Sequence, residues 1–183
     1  MVAAENDALP NAKVGGIGDV VRDIPIALAR EECQVQVVLP DYGHFSKMPS
    51  TQKVAAFQVN FAGKQEEVHL FKVKGKQLLQ TYLDEVGPAI TYWALGHSYF
   101  SPCGDGAVYC NDGSERPFAT DASKYAFFCA AVAQVSVQGG FGALDVIHLH
   151  DWHAALILVL REFDPAYASL KAIPTVYTIH NLS

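Results

Sequence analysis

A short apolar run over residues 35–39, closed by Pro40, follows an amphipathic stretch over 17–32 that opens on the glycine pair Gly15-Gly16. In that stretch Ile17, Val20, Val21, Ile24, Ala27 and Leu28 recur at helical spacing, so one face of a helix is apolar. Val35 to Leu39 is apolar at nearly every position, the signature of a strand buried on both faces of a parallel sheet. The opening residues, Met1-Val2-Ala3-Ala4, read as the end of another buried strand. Strand, helix and strand within some forty residues make a βαβ unit. Pro25 falls inside the helical pattern and predicts a kink or a shifted start, because proline has no N–H and crowds the preceding turn.

The remainder extends this plan. Residues 53–60 and 66–73 flank Ala62-Gly63-Lys64 and predict a hairpin. Further strands are expected over 78–83 and 89–95, a helix over 121–138, a buried strand over 144–149, a helix over 154–163 and a strand over 174–179. Between them, residues 96–117 form a long loop rich in Gly, Ser, Pro and Asp, and loops of that length are usually functional or disordered. The expected architecture is α/β: a layered parallel sheet with helices on both faces and a small β-hairpin insert, forming one domain over 1–183.

Half of the residues are hydrophobic and 17% are charged, with a net charge of −6. No cluster of Lys and Arg is present to neutralise phosphates, so nucleic acid is not an expected partner. No apolar run is long enough to span a bilayer, and the first residues lack the basic region of a signal peptide. The four cysteines form no C-x-x-C pair. Cys33 and Cys129 lie in apolar periodic segments and are expected to be buried thiols. Cys103 and Cys110 flank a glycine-rich loop that can bring them together, but the chain otherwise reads as a reducing-compartment protein with free thiols.

Three polar clusters fall at predicted strand ends, where ligands bind in open parallel sheets. The first is Lys13-Val14-Gly15-Gly16-Ile17-Gly18-Asp19. Glycine permits close backbone approach and positive φ, a helix N-terminus offers free N–H groups and the positive end of its dipole, and a lysine adds charge; a phosphorylated ligand suits such a corner. The alternative is a plain turn. Asp19 would repel a phosphate there, so it is assigned to capping or to sugar hydroxyls. The second cluster is His148-Leu149-His150-Asp151-Trp152-His153, and the third is His180-Asn181-Leu182. His148 and His150 share a face if the strand runs through them. That permits a metal reading, but the spacing does not fit H-x-H-x-D-H and metal is not expected; the other reading is a core His148 with Asp151 capping the next helix. Trp152 reads as core packing.

Taken together, these motifs resemble the N-terminal domain of bacterial glycogen synthases and plant starch synthases. The family's Lys-x-Gly-Gly motif is matched by Lys13 to Val20, and its preceding strand ending in Ala-Glu by Ala3-Ala4-Glu5. Its His-x-His-Asp-Trp-His and Thr-x-His-Asn-Leu segments are matched by His148 to His153 and by Thr178 to Leu182. The resemblance implies one half of a GT-B architecture of two facing Rossmann-like domains. It also implies a retaining glucosyltransferase that moves glucose from ADP-glucose or UDP-glucose to the non-reducing end of an α-1,4-glucan without a cofactor or metal. By position, Lys13 and the Gly15-Gly16 backbone would meet the donor phosphates. His180 would contact the donor glucose near the reacting carbon, Asp151 would hold a sugar hydroxyl, and Asn181 would support the loop. Glu5 and Tyr99 would lie toward the acceptor. Where the family carries Asp-Arg-Pro-Gly, this chain has Ser101-Pro102-Cys103-Gly104, which implies altered acceptor binding. The nucleotide-binding C-terminal domain is expected to be absent from these residues. That implies little activity alone, a tendency to self-association, and a bacterial cytoplasmic or plastid stromal location. A non-enzymatic glucan-binding or regulatory module is the alternative, and a metal-dependent hydrolase a more distant one.

Overall fold

The computed structural model describes residues 1–76 and 89–181. In chain order its elements are α1 (Gly16–Arg30), β1 (Val35–Pro40), β2 (Gln52–Phe61), β3 (Lys64–Val73), β4 (Ile90–Gly96), α2 (Ala119–Val137), β5 (Ile147–His150), α3 (Trp152–Phe163) and β6 (Thr175–Thr178). The strand expected over 78–83 lies outside the described residues.

β1 pairs in parallel with β4, and β5 in parallel with β6. The opening residues join these two pairs. Val2 N–H donates to His148 O at 2.8 Å and His150 N–H to Val2 O at 3.0 Å; on the other side Val38 N–H donates to Met1 O at 3.0 Å and Ala3 N–H to Val38 O at 3.2 Å. Residues 1–4 therefore occupy a strand position between β1 and β5, and both neighbours bridge to Val2 in parallel.

The alternation of side chains across strands divides the core in two. Ala3, Val37, Leu39, Tyr92 and Ala94 face α1, where Ile17 and Val21 cover them. Val2, Ala4, Val38, Leu95 and Leu149 face the other way, against Phe127, Phe128 and Ala131 of α2 and Ala154 and Ile157 of α3. Helices thus cover both faces, and each fully buried large apolar side chain contributes roughly 1.5–3 kcal/mol. Because the central strands run in parallel, the chain leaves residues 1–4, β5 and β6 at one edge, which collects Glu5, Asp151 and His180.

The expected hairpin forms as β2 and β3, and β3 also pairs antiparallel with β4, Leu70 opposite Leu95, so the hairpin is the sheet's far edge. α1 begins at Gly16 and runs on past Pro25 without a shifted start. Two expectations about the cysteines need correction. Cys103 and Cys110 are joined in a disulfide with Cα atoms 5.7 Å apart; Gly104 and Gly106, both at positive φ, fold the loop back on itself. Cys33 is exposed, because α1 ends at Arg30 and the chain turns through Glu32 at φ 62°; Cys129 is buried as expected. Among the described residues no helix is long and apolar enough to cross a membrane.

Candidate functional site

The glycine corner opens α1. Gly15 is its N-cap at φ −126°, and none of Gly15, Gly16 and Gly18 has positive φ. These glycines therefore serve close approach rather than an unusual turn. A Cβ on Gly16 would meet nothing within 4 Å, whereas one on Gly18 would lie 3.0 Å from Lys13 Cγ and 3.5 Å from Glu5 Oε2. Gly16 is thus open on its outer side, and Gly18, which the motif alone did not single out, is small for packing.

Glu5 is 2% exposed and lies beneath this corner. Its Oε2 accepts from Val14 N–H at 2.7 Å and Gly15 N–H at 2.6 Å, and its Oε1 accepts from the Tyr109 hydroxyl at 2.7 Å. Glu5 therefore faces inward as a brace for the loop. Burial first, then the bond to Glu5, push the Tyr109 hydroxyl well above its ordinary range, which keeps it a donor. Tyr109 adjoins Cys110, whose N–H donates to Asp121, and the buried Lys124 ammonium binds Val108 O and pairs with Asp121 at 2.7 Å.

Lys13 reaches Asp19 Oδ1 at 2.6 Å, and Arg22 approaches the same oxygen at 3.1 Å. No side chain caps α1, so Asp19 is a counter-charge to Lys13 rather than a cap. An anion at the corner would compete with it for the ammonium.

Asp151 follows β5 and caps α3, its Oδ1 accepting from Trp152 N–H at 3.0 Å. It is 3% exposed and sits at φ 59°, ψ −173°, a region that is nearly glycine-only and costs about 1–3 kcal/mol. Its N–H donates to Thr178 O at 2.8 Å, which ties it to the end of β6. Trp152, expected in the core, is 41% exposed because it begins α3 at the sheet edge.

The histidines stack rather than converge. His148 and His150 have ring centroids 4.2 Å apart, and His150 and His180 5.3 Å. His148 meets Thr178 Oγ1 at 2.7 Å, so it is a half-buried, partnered side chain. His150 Nδ1 lies 3.0 Å from His180 Nε2. Burial, then the neighbouring His148 and His180, push His150 down to about 3; burial pushes His153 down to about 4. His153 has no partner for either ring nitrogen and lies against Trp152 and Tyr125. Sequence patterning did not point to Tyr109, which enters through tertiary packing; His153 stood in the His148–His153 cluster, but its contact with Tyr125 is tertiary. Among the described residues no group of three or more His, Cys, Asp and Glu is placed to hold a metal ion. Asn181 is exposed beside His180.

Tyr99 lies apart from the glycine corner. It is 39% exposed, its hydroxyl donates to Glu66 Oε1 at 2.8 Å, and it lines a cleft of about 760 Å³ with Phe61, Pro102, Asp112, Arg116 and Thr120. That volume and its mainly apolar wall with a few polar groups suit a small ligand.

A mixed α/β sheet with helices on both faces, a glycine-opened helix and a His–Asp cluster at one edge defines an α/β domain of the layered, Rossmann-like class. Residues 1–183 match the family model of the starch synthase catalytic domain, and the chain belongs to that family. It is 32% identical to a glycogen synthase of Clostridioides difficile over 94% of this chain and 33% of the relative. It is 29% identical to a glycogen synthase of Gloeobacter violaceus over 98% of this chain and 32% of the relative. The catalytic domain of starch synthase IV from Arabidopsis thaliana, bound to ADP and acarbose, superposes with a TM-score of 0.73 at 24% identity, covering 98% of this chain and 33% of that one. The chain spans about a third of the length of these relatives.

Proposed function

We propose that these residues form the acceptor-side wall of a retaining glucosyltransferase. On this reading the enzyme moves glucose from ADP-glucose or UDP-glucose to the non-reducing end of an α-1,4-glucan. The observation that carries the reading is Gly16: the first residue of a 15-residue helix, with open space where a side chain would stand and the Lys13 ammonium nearby on Asp19. A helix N-terminus stabilises the negative charge that builds on a departing diphosphate. Asp151 Oδ2 accepts from a sugar hydroxyl, His180 contacts the donor glucose, and Asn181 supports their loop. The cleft beside Tyr99 is the path of the acceptor, where an aromatic face offers apolar area and a polar tip to a sugar.

Among the described residues the corner's lysine is already paired with Asp19, which Arg22 also meets. A second domain with its own cations is therefore assigned the other wall, and transfer by these residues alone should be very slow.

The test is calorimetric titration of the chain with ADP-glucose, UDP-glucose and maltoheptaose, repeated on Gly16→Ala. The reading expects sugar-nucleotide and glucan binding, with Gly16→Ala weakening only the former and leaving the urea midpoint unchanged or raised, since alanine is the better helix former. Sugar-nucleotide affinity unaffected by Gly16→Ala would overturn the phosphate corner. Glucan binding with no sugar-nucleotide binding, even when the second domain is supplied, would favour a glucan-binding module instead.

A further inference from the structure

We propose that His150 is a positioning residue that fixes which ring nitrogen of His180 carries the proton and is left to a ligand. The arrangement is set by two parallel strands. His150 ends β5 and is fully buried; His180 follows β6 and is half-buried. His150 Nδ1 lies 3.0 Å from His180 Nε2, and the two rings are within 20° of parallel. His148 stacks on His150 within 29° of parallel and is held by its own bond to Thr178 Oγ1. His150 is therefore flanked by two rings, one of them anchored to β6.

The proton positions follow from which atoms lack partners. His150 is held neutral by burial, so its ring carries one proton. Its Nε2 is buried with no hydrogen-bond partner among the described residues. A proton on Nε2 would leave an orphaned buried N–H, which folded proteins rarely tolerate. A proton on Nδ1 is used in the bond to His180 and leaves only a lone pair unmatched. His150 is thus the Nδ1–H tautomer and donates to His180 Nε2. A neutral His180 that accepts at Nε2 carries its own proton on Nδ1. It therefore leaves an N–H donor on Nδ1, which would meet an oxygen lone pair of a ligand.

The tautomer stands on the geometry alone; the ligand it serves rests on the function proposed above. The experiment is a long-range ¹H–¹⁵N correlation spectrum of the ¹⁵N-labelled chain at pH 8, above the ordinary histidine range. The expected result is a bare, pyridine-type Nε2 and a protonated Nδ1 for His180, and a protonated Nδ1 for His150. A protonated His180 Nε2 would overturn the proposal. No variant is needed for that result, so a folding defect cannot obscure it.

Two substitutions extend the test. His150→Asn places an amide N–H where Nδ1–H stands and should preserve the His180 tautomer. His150→Leu removes the donor and should move the His180 proton to Nε2, the position free imidazole prefers. A His180 tautomer unchanged in folded His150→Leu would count against positioning by His150. The same variants titrated with ADP-glucose separate the two readings. The leucine variant should bind about tenfold more weakly, the loss of one well-placed hydrogen bond, with asparagine closer to the parent. A switched tautomer with unchanged affinity would support the positioning role and remove His180 from the sugar site.

Discussion

The Glu5 carboxylate closes on the backbone of Gly15, accepting its N–H at 2.6 Å while also accepting that of Val14 at 2.7 Å. The protein thus supplies its own anion to the N-terminal corner of α1, while the outer side of Gly16 stays open. Glu5→Gln replaces one acceptor oxygen with an NH₂ group that must face either two N–H donors or the Tyr109 hydroxyl. Charge-assisted bonds of this kind are each worth about 1.5–3 kcal/mol, so a loss of roughly 2–3 kcal/mol is expected, read as a lowered urea midpoint. Tyr109→Phe, which removes one such bond to Glu5, should lose about 1.5–3 kcal/mol.

At Asp151 the backbone and the side chain make opposite demands. The φ of 59° with ψ of −173° suits glycine, and exchanging an Asp cap for Gly costs only a few tenths of a kcal/mol. Asp151→Gly should therefore raise stability by about 1 kcal/mol, the relieved strain outweighing the lost cap, while abolishing sugar-nucleotide binding. Thermal melts and calorimetry on one preparation check both halves. A destabilised variant would mean that the carboxylate is structural.

The disulfide and the two remaining cysteines give a thiol count with a fixed order. Under native conditions one thiol, Cys33, should react with an aromatic disulfide reagent. A second, the buried Cys129, should appear only on unfolding, and two more only after reduction of Cys103–Cys110. Loop-closure entropy for so short a loop gives about 2–3 kcal/mol of stabilisation, and reduction should lower the melting temperature accordingly. Three or four thiols in the unfolded, unreduced chain would rule out the pairing.

Acid should destabilise the fold earlier than carboxylate titration alone would. His150 and His153 are held neutral when folded, at about 3 and about 4, against about 6.5 in an unfolded chain. Below 6.5 the unfolded state binds more protons, so this contribution is fully present above 6.5 and is lost as pH falls toward the folded values. Each histidine costs roughly 1.4 kcal/mol per pH unit in that window. Urea midpoints at pH 7.5, 6 and 5 should fall progressively, and His153→Phe should flatten the fall.

Val176 and Tyr177 are exposed on β6, with Ile179 just beyond, and among the described residues no strand pairs with the outer side of β6. Open edges with apolar side chains recruit further strands. Sedimentation should show association growing with concentration, reduced by Val176→Lys. A concentration-independent monomer would refute the expectation.

Much of the plan was legible along the chain. Helical spacing located α1, α2 and α3; apolar runs located β1, β5 and β6; and the parallel order placed the Lys-Gly-Gly, His-Asp and His-Asn clusters at one sheet edge. These are local periodicities, set by the geometry of helix and strand and readable from neighbouring residues. The Lys-x-Gly-Gly, His-Asp and His-Asn motifs likewise marked Lys13, Gly16, Asp151 and His180 as candidates.

The partners those residues take were decided elsewhere. Glu5 meets Tyr109 across 104 positions, His150 meets His180 across 30, and Cys103 finds Cys110 because two glycines reverse the loop. The hairpin became the sheet's own edge once β3 paired with β4, which no pattern within the hairpin specifies. Periodicity reports which face of an element is apolar. It carries no information on which distant side chain meets that face, and the charge state and hydrogen-bond partners of a buried group depend on that meeting.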